Sequence, residues 1–105
     1  MTDIPRLSAR RIQVLSRFVE RPATELSGAD IMRLTGLASG SLYPILYALE
    51  DAGLLDSRWE TEDPEALGRP KKRLYWVTAL GQRAVANEAA EIAKLLPAFP
   101  TPNDK

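Results

Sequence analysis

The chain contains no cysteine and no histidine among its 105 residues. Without thiols it has no thiol redox chemistry and no thiolate metal ligands, and without imidazoles it has no histidine general base. Carboxylates are present, but no pair of them lies in an apolar setting suited to acid–base catalysis. A phosphate-cradling glycine loop is also missing. The sequence therefore predicts no catalytic site, no metal site and no cofactor.

Long apolar runs are absent as well. No segment approaches the roughly 20 apolar residues of a membrane-spanning helix, and the first residues lack the apolar stretch of a signal peptide. We therefore expect a cytoplasmic protein that makes no contact with membranes. A chain of this length is expected to form one domain with a core that needs no disulfides.

The formal net charge is zero, with 14 basic and 14 acidic residues, so the overall composition does not favour nucleic acid. The charges are unevenly distributed, however. Arginines gather between residues 6 and 21, four basic residues fall within 69–73, and acidic residues gather in 60–65. Binding depends on the local field more than on the total charge. The 69–73 cluster is therefore a candidate phosphate contact, with an ordinary solvated surface as the alternative.

The segment Ser39–Leu55 is the most informative part of the chain. Its apolar residues recur at spacings of three and four, which is one face of a helix: Leu42, Ile45, Leu46 and Leu49. Tyr43 and Tyr47 fall on the opposite face, where they either meet DNA or pack at a seam between domains or between subunits. We predict that regular helix begins near Ser41, with Pro44 in its first turn. A short helix with small polar residues at its start, followed by an apolar strand, is typical of a DNA-recognition helix that leads into a β-wing.

Two further helices are predicted before this segment, and a hairpin after it. The first helix spans 7–20. Ser27 opens the second, with Asp30 at the spacing of a capping box, and Gly36 ends it, so the second and third helices form a helix-turn-helix. Strands at 54–60 and 72–77 flank a loop at 61–70. The predicted fold is mainly α with a β-wing, a winged helix-turn-helix over residues 1–77.

A final helix is predicted from Thr78 to about Leu96, ended by Pro97. Its apolar stripe and many alanines either pack on the first helix of the same chain or form a seam between two subunits. We favour the seam, because alanine lets helix backbones approach closely. Residues 78–97 are therefore interpreted as a dimerisation helix, and 98–105 as a disordered tail. The predicted dimer contacts lie on the first and last helices: Leu7, Val14, Phe18, Val85, Ala89, Ile92 and Leu96.

Several motifs occur together between residues 31 and 81. They are Ser39-Gly40-Ser41-Leu42-Tyr43-Pro44, Leu49-Glu50, Gly53-Leu54, Gly68-Arg69-Pro70-Lys71-Lys72, Tyr75 and Thr78-x-x-Gly81. In this combination the chain resembles the PadR family of bacterial transcriptional regulators. The resemblance implies a winged helix-turn-helix with a C-terminal dimerisation helix, and in most members a repressor. It also implies that a small aromatic effector can release the DNA.

The residues and the resemblance together predict a homodimer that binds double-stranded DNA at a palindromic operator. The candidate DNA contacts lie at the start of the third helix and on the wing: Ser39, Gly40, Ser41, Tyr43, Pro44, Tyr47, Arg69, Lys71, Lys72 and Arg73. In one branch of the family a tryptophan on the last helix stacks on aromatic drugs. Here the last helix has no aromatic residue before Phe99. The alternative function is a winged-helix module that binds protein instead of DNA, which the neutral net charge and the acidic 60–65 segment favour.

Overall fold

The computed structural model of the protein describes residues 4–96. Along the chain the elements are α1 (Ala9–Val19), β1 (Leu26–Ser27), α2 (Gly28–Thr35), α3 (Ser39–Asp51), β2 (Leu55–Trp59), α4 (Pro64–Leu67), β3 (Arg73–Val77) and α5 (Ala79–Leu95). The three strands form one antiparallel sheet in the order β1-β3-β2. This is the mainly helical fold with a β-wing that the sequence predicted. The predicted tail at 98–105 lies outside the described residues.

The core lies where α1, α3 and one face of the sheet meet. The stripe predicted on α3 is correct, since Leu42, Leu46 and Leu49 are at most 1% exposed. On the sheet, Leu55 pairs with Val77 and Ser57 with Tyr75, so the inner face changes from apolar at its base to polar towards the tip. Helix α3 is thereby held against the sheet by one face.

Side-chain caps fix the helix starts that the sequence predicted. The Ser27 hydroxyl accepts a hydrogen bond from the amide of Asp30 at 3.2 Å, and the Asp30 carboxylate accepts one from the amide of Ser27 at 2.9 Å. This reciprocal pair is the capping box expected from the spacing. The Thr78 hydroxyl accepts from the amide of Gly81 at 3.0 Å and donates to the carbonyl of Gly53 at 2.7 Å. Thr78 therefore starts α5 and ties it to the end of the turn after α3.

The third helix begins two residues earlier than predicted. The carbonyl of Ala38 accepts hydrogen bonds from the amides of Ser41 at 3.0 Å and Leu42 at 2.9 Å, so regular helix starts at Ser39. Pro44 consequently lies in the second turn and not in the first. It is exposed there, and because proline has no N–H, the carbonyl of Gly40 has no donor within the helix.

Two elements were not predicted. Strand β1 pairs Leu26 with Tyr75, but two residues are too few to show the alternation that marks a strand. Helix α4 lies within the segment that the sequence interpreted as a loop. The Asp63 carboxylate caps it by accepting from the amide of Glu65 at 3.1 Å, and Gly68 ends it at φ 70°. An aspartate–proline start and a glycine end are ordinary helix signals, which the loop interpretation overlooked.

Helix α5 packs on α1, and Glu88 on α5 also holds the segment that precedes α1. Glu88 is 4% exposed, and its carboxylate accepts hydrogen bonds from the Arg6 guanidinium at 2.7 Å and from the amide of Leu7 at 3.3 Å. The hydrogen bond from Arg6 lowers the pKa of Glu88 despite its burial. Within residues 4–96, no helix is both long enough and apolar enough to cross a membrane.

The close approach of α5 to the backbone just before β2 predicts an unusual effect of a helical glycine. A methyl group at Gly81 would collide with the Leu54 carbonyl and lie 2.7 Å from the Val77 side chain. We expect Gly81→Ala to lower the free energy of unfolding by about 1–3 kcal/mol, because overpacking outweighs the gain in helix propensity. Urea unfolding followed by circular dichroism measures this.

Gly40→Ala is the matched control. Nothing lies within 4 Å of a methyl group at Gly40, so this variant is expected to be neutral or stabilised by up to about 1 kcal/mol. Equal effects of the two substitutions would contradict the close packing at Gly81.

Candidate nucleic-acid interface

The start of α3 and its outer face are open to solvent. Ser39, Gly40, Ser41, Pro44 and Tyr47 are all exposed, whereas the opposite face of the helix is buried. Ala38 makes no side-chain cap. The amides of Ser41 and Leu42 donate to the Ala38 carbonyl, whereas those of Ser39 and Gly40 have no acceptor within residues 4–96. The structure therefore brings five of the candidate contacts together on one exposed surface with free amides at its end.

The two tyrosines of α3 differ in their surroundings. Tyr43 is half-buried, and its ring lies on the backbone of Gly28 at the start of α2. The approach is so close that a Cβ atom added to Gly28 would lie 2.6 Å from the Cζ atom of Tyr43. Tyr47 is 53% exposed, and the two ring centroids are 6.0 Å apart. Tyr43 thus contributes to packing between the two helices, while Tyr47 is the more outward of the pair. The sequence treated them as equivalent, because the contact with Gly28 is not local.

The four basic residues at 69–73 fall into two classes. Lys71 and Lys72 are exposed, and neither forms an ion pair with another residue of 4–96. Arg69 pairs with Glu60, and Arg73 pairs with Glu50. Within the described residues the two lysines therefore form no ion pair, although Lys72 lies in the field of Glu60 and Asp30. A run of basic residues in the sequence does not show which acidic residues each arginine contacts in the fold.

Glu60 is the acceptor that holds the wing tip. Its side chain is 13% exposed and accepts from both terminal nitrogens of Arg69, at 2.6 and 3.0 Å, and from the amide of Lys72 at 2.9 Å. The hydrogen bond from Arg69, followed by that from Lys72, lowers the pKa of Glu60 from 4.5 to about 2. This acidic residue therefore organises the wing and offsets the charge of Arg69.

Arg73 joins the wing to α3. Its guanidinium donates to the Ser57 hydroxyl at 3.0 Å and to the Glu50 carboxylate at 3.2 Å, and the Ser57 hydroxyl donates to Glu50 at 2.6 Å. The same guanidinium lies 5.7 Å from the Trp59 ring and 5.9 Å from the Tyr75 ring, within the range of cation–π contacts. This network was not predicted. In it Arg73 is a positioning residue whose charge is already matched.

A cavity of about 290 Å³ lies between α3, the start of α2 and the wing. Its lining combines aromatic and basic side chains with the α2 backbone: Ser27, Gly28, Ala29, Tyr43, Tyr47, Trp59, Lys71, Lys72, Arg73 and Tyr75. Burial raises the pKa of the Tyr75 phenol. Across residues 4–96 no group of carboxylates has the arrangement of a metal site.

The predicted dimer contacts divide into buried and exposed residues. Val14 and Phe18, which were predicted as dimer contacts, are 0% exposed in the core of the single subunit, so its surface does not present them to a partner. The sequence pattern shows which residues face inward but not which neighbour they face. Leu7 and Val85 are half-buried against the same core. The other three predicted contacts are exposed: Ala89, Ile92 and Leu96. Leu95, which was not among the predicted contacts, is exposed beside them.

The model of the transcriptional regulator PadR-like family matches residues 25–87, which is more than half of the chain. The chain belongs to the PadR-like family. The family is one of transcriptional regulators, so this chain is a regulator and not an enzyme. The match covers α2, α3 and the whole wing, and it confirms the family that the motifs indicated. No curated protein matches the chain.

Solved structures of winged-helix regulators share the fold. A PadR-like transcription factor from Bacteroides fragilis has a TM-score of 0.69 at 19% identity, with 82% of each chain covered. A PadR family regulator from Eggerthella lenta has a TM-score of 0.66 at 21% identity, over 82% of this chain and 76% of that one. MepR of Staphylococcus aureus, in a complex with DNA, has a TM-score of 0.67 at 13% identity, over 85% and 67%. The family and the fold together support a DNA-binding regulator.

The Glu60–Arg69 pair gives a testable titration. We expect the Glu60 carboxylate to titrate near pH 2 and Arg69→Gln to raise its pKa towards 4.5, as measured by NMR of the carboxyl carbon. Because the pKa of Glu60 is lowered on folding, the pair stabilises the wing fully above about pH 4.5. That contribution is lost as the pH falls towards 2.

Arg58→Gln is the matched control, since Arg58 lies on the same wing but pairs with Glu25 at 2.8 Å. It should change the pKa of Glu60 much less than Arg69→Gln does, because Arg58 acts on Glu60 only through a coulombic interaction and not through a hydrogen bond. A wild-type Glu60 that titrates near 4.5 would contradict the bidentate contact.

Proposed function

We propose that the protein is a repressor that binds a palindromic DNA operator as a homodimer and is released by a small-molecule effector. The observation that carries the proposal is the contrast between the two faces of α3. One face is fixed in the core by leucines, and the other presents Ser39, Gly40, Ser41 and Tyr47 to solvent. A rigidly held helix with an open polar face is what entry into a major groove requires.

Binding would begin at the uncapped end of α3. Free backbone amides and the positive end of the helix dipole favour a phosphate oxygen. The hydroxyls of Ser39 and Ser41 would add hydrogen bonds, and Tyr47 would lie further along the groove. In a two-fold symmetric dimer the two helices would meet half-sites about 34 Å apart, one turn of B-DNA. Repression would follow from occlusion of the operator.

Sequence preference would rest mainly on DNA shape and water. Residues 39–51 contain no arginine, asparagine or glutamine, the side chains with the strongest bidentate geometry towards bases. Lys71 and Lys72 on the wing would follow the phosphates or reach a narrow minor groove. Tyr43, Pro44, Arg69 and Arg73 remain within the proposed contact surface, although Arg69 and Arg73 would have to share their charge with Glu60 and Glu50.

The test of this function is binding to DNA fragments that flank the protein's own gene, at two salt concentrations. We expect a footprint with two-fold symmetry that survives moderate salt. Replacement of Lys71 and Lys72 by alanine should reduce the salt dependence by about two units of slope, because each phosphate contact releases roughly 0.9 counterion. Lys94→Ala is the control, since Lys94 pairs with Glu91 on α5, and it should leave the slope unchanged.

Absence of any footprint at low salt, with the protein folded, would contradict DNA recognition. It would support the alternative of a protein-binding winged helix. An unchanged slope in the double lysine variant would remove the wing from the contact surface.

The dimer would form through the end of α5. Ile92 is 45% exposed, Leu95 82% and Leu96 55%, which leaves a group of large apolar side chains in water. Such a patch at the end of a helix rich in alanine fits close packing against the same helix of a second copy. The exposed alanine Ala89 continues the patch along α5.

Ile92→Asp should convert the dimer to a monomer, because it places a charge in the proposed apolar contact. Analytical ultracentrifugation measures the change, and operator affinity should fall with it. Ala90→Asp is the matched control, since residue 90 lies roughly 160° around the helix from residue 92. Dissociation by both variants, or by neither, would contradict this interface.

A further inference from the structure

Among residues 4–96, the two most exposed aromatic rings lie around the same cavity. Trp59 is 56% exposed and Tyr47 is 53% exposed, and both line the space between α3 and the wing. Large rings left open around a concave space mark an interaction site more often than an ordinary surface. The two rings are therefore suited to a partner that offers a flat apolar group.

One face of the Trp59 ring is already occupied by the protein. The Arg73 guanidinium lies over this ring, 5.7 Å from its centroid, and is itself held by the Glu50 carboxylate. More than half of the Trp59 side chain is nevertheless exposed, so the other face of the ring is open to a second planar group. Because the ion pair fixes Arg73, and Arg73 in turn packs on the indole, Trp59 is oriented before any partner arrives.

Cations lie beside this aromatic surface. Lys71, Lys72 and Arg73 line the cavity, and no acidic side chain of residues 4–96 lines it. Arg73 is held in its ion pair, whereas the two lysines form none within the described residues, although Lys72 lies in the field of Glu60. A partner is therefore favoured by negative charge near the lysines as well as by a ring near Trp59.

We propose that this cavity binds a single-stranded nucleic acid, with one unpaired base stacked on Trp59 and in contact with Tyr47, and with the adjoining phosphates at Lys71 and Lys72. A nucleotide joins an aromatic ring to an anion through one sugar, which is the combination that the cavity presents. Stacking on aromatic side chains beside a positively charged groove is a general mode of single-strand binding. This activity goes beyond the proposed recognition of a duplex operator and does not rest on it.

Duplex DNA satisfies only part of this site. Its phosphates can reach the lysines, but its bases are stacked on one another inside the helix, and unstacking them costs free energy. An unpaired segment offers both base and phosphate without that cost. At about 290 Å³ the cavity is at the small end of ligand pockets, which suits one base and not a run of bases.

The first test measures direct binding to the DNA-free protein by NMR. The Trp59 indole N–H reports on the cavity, and the Trp76 indole in the same sample is the internal control. Trp76 pairs with Asp56, so it lies on the other face of the sheet from Trp59. Four probes with equal numbers of phosphates separate the contributions: oligothymidylate, oligouridylate, an abasic oligomer with the same sugar–phosphate backbone, and a hairpin duplex of unrelated sequence.

We expect saturable shifts of the Trp59 indole with oligothymidylate or oligouridylate, and the tighter of the two identifies DNA or RNA as the strand. The abasic oligomer should bind roughly fivefold more weakly or worse, because it lacks the base that stacks. The hairpin should leave the Trp59 indole nearly unshifted. Abasic binding as tight as that of the oligonucleotides, an equal shift with the hairpin, or no saturation with either oligonucleotide would each overturn the proposal.

Substitutions then locate the site. Trp59→Ala should weaken binding of the better oligonucleotide roughly fivefold or more, and Trp59→Phe should restore most of it, since phenylalanine keeps a ring there. Tyr47→Leu, at an exposed position, should also weaken binding, whereas Trp76→Phe is the matched control and should bind as the wild type does. Undiminished binding in folded Trp59→Ala, or an equal loss of abasic binding in it, would overturn the stacking role.

Salt dependence tests the position of the phosphates. Replacement of Lys71 and Lys72 by alanine should lower the slope of log affinity against log salt for the oligonucleotide by about 1.4, since each phosphate contact with a single strand releases roughly 0.7 counterion. Lys94→Ala, on α5, should leave the slope unchanged. An unchanged slope in the double lysine variant would overturn this placement.

The two proposals fail separately. Single-strand binding without a footprint on the flanking DNA would contradict the proposed operator recognition and support this inference. A footprint without oligonucleotide binding would overturn this inference and support operator recognition.

Discussion

The structure depends on one packing constraint: α3 must be fixed to the wing by one face while its other face stays open. Burial of Leu42, Leu46 and Leu49 supplies the fixed side, and full burial of such side chains is worth roughly 1.5–3 kcal/mol each. Beyond the apolar base of the sheet, the contact continues as the Glu50–Ser57–Arg73 network, which occupies the polar part of the same face. Helix and wing therefore form one rigid unit, and the cavity between them has walls whose spacing is set by that unit.

Because the formal net charge is zero, the electric field at any surface of the protein is set by the charged residues close to it. Of the basic residues at 69–73, the two arginines are held in ion pairs and the two lysines form none within residues 4–96, so the acidic residues that pair with the arginines are part of the architecture. Glu60 holds the tip through Arg69 and the Lys72 amide. Glu50, on α3, holds the base of the wing through its ion pair with Arg73. A count of charges along the sequence treats all four basic residues alike, whereas the fold separates them by their neighbours.

What the sequence could predict follows the range of the interactions involved. Caps and stripes are local, so the capping box at Ser27, the start of α5 at Thr78 and the buried face of α3 were predicted correctly. Other contacts join distant parts of the chain: the pairing of β1 with β3, the packing of Tyr43 on Gly28, and the ion pairs of Arg69 and Arg73. The periodicity of apolar residues in the sequence does not predict such contacts. Val14 and Phe18 illustrate the same limit, because an apolar stripe identifies an inward face without identifying what covers it.

The ion pairs that Arg69 forms with Glu60 and Arg73 with Glu50 also affect how fast the protein would associate with a polyanion. Long-range attraction depends on uncompensated charge, and charges within an ion pair only a few ångströms across cancel at distances beyond the Debye length of about 8 Å. A wing with two free lysines therefore steers weakly. Its association rate constant should lie nearer to the ordinary range for protein association than to the diffusion limit, with only a shallow dependence on ionic strength. Discrimination between sites would then reside in the lifetime of the complex and not in the speed of its formation.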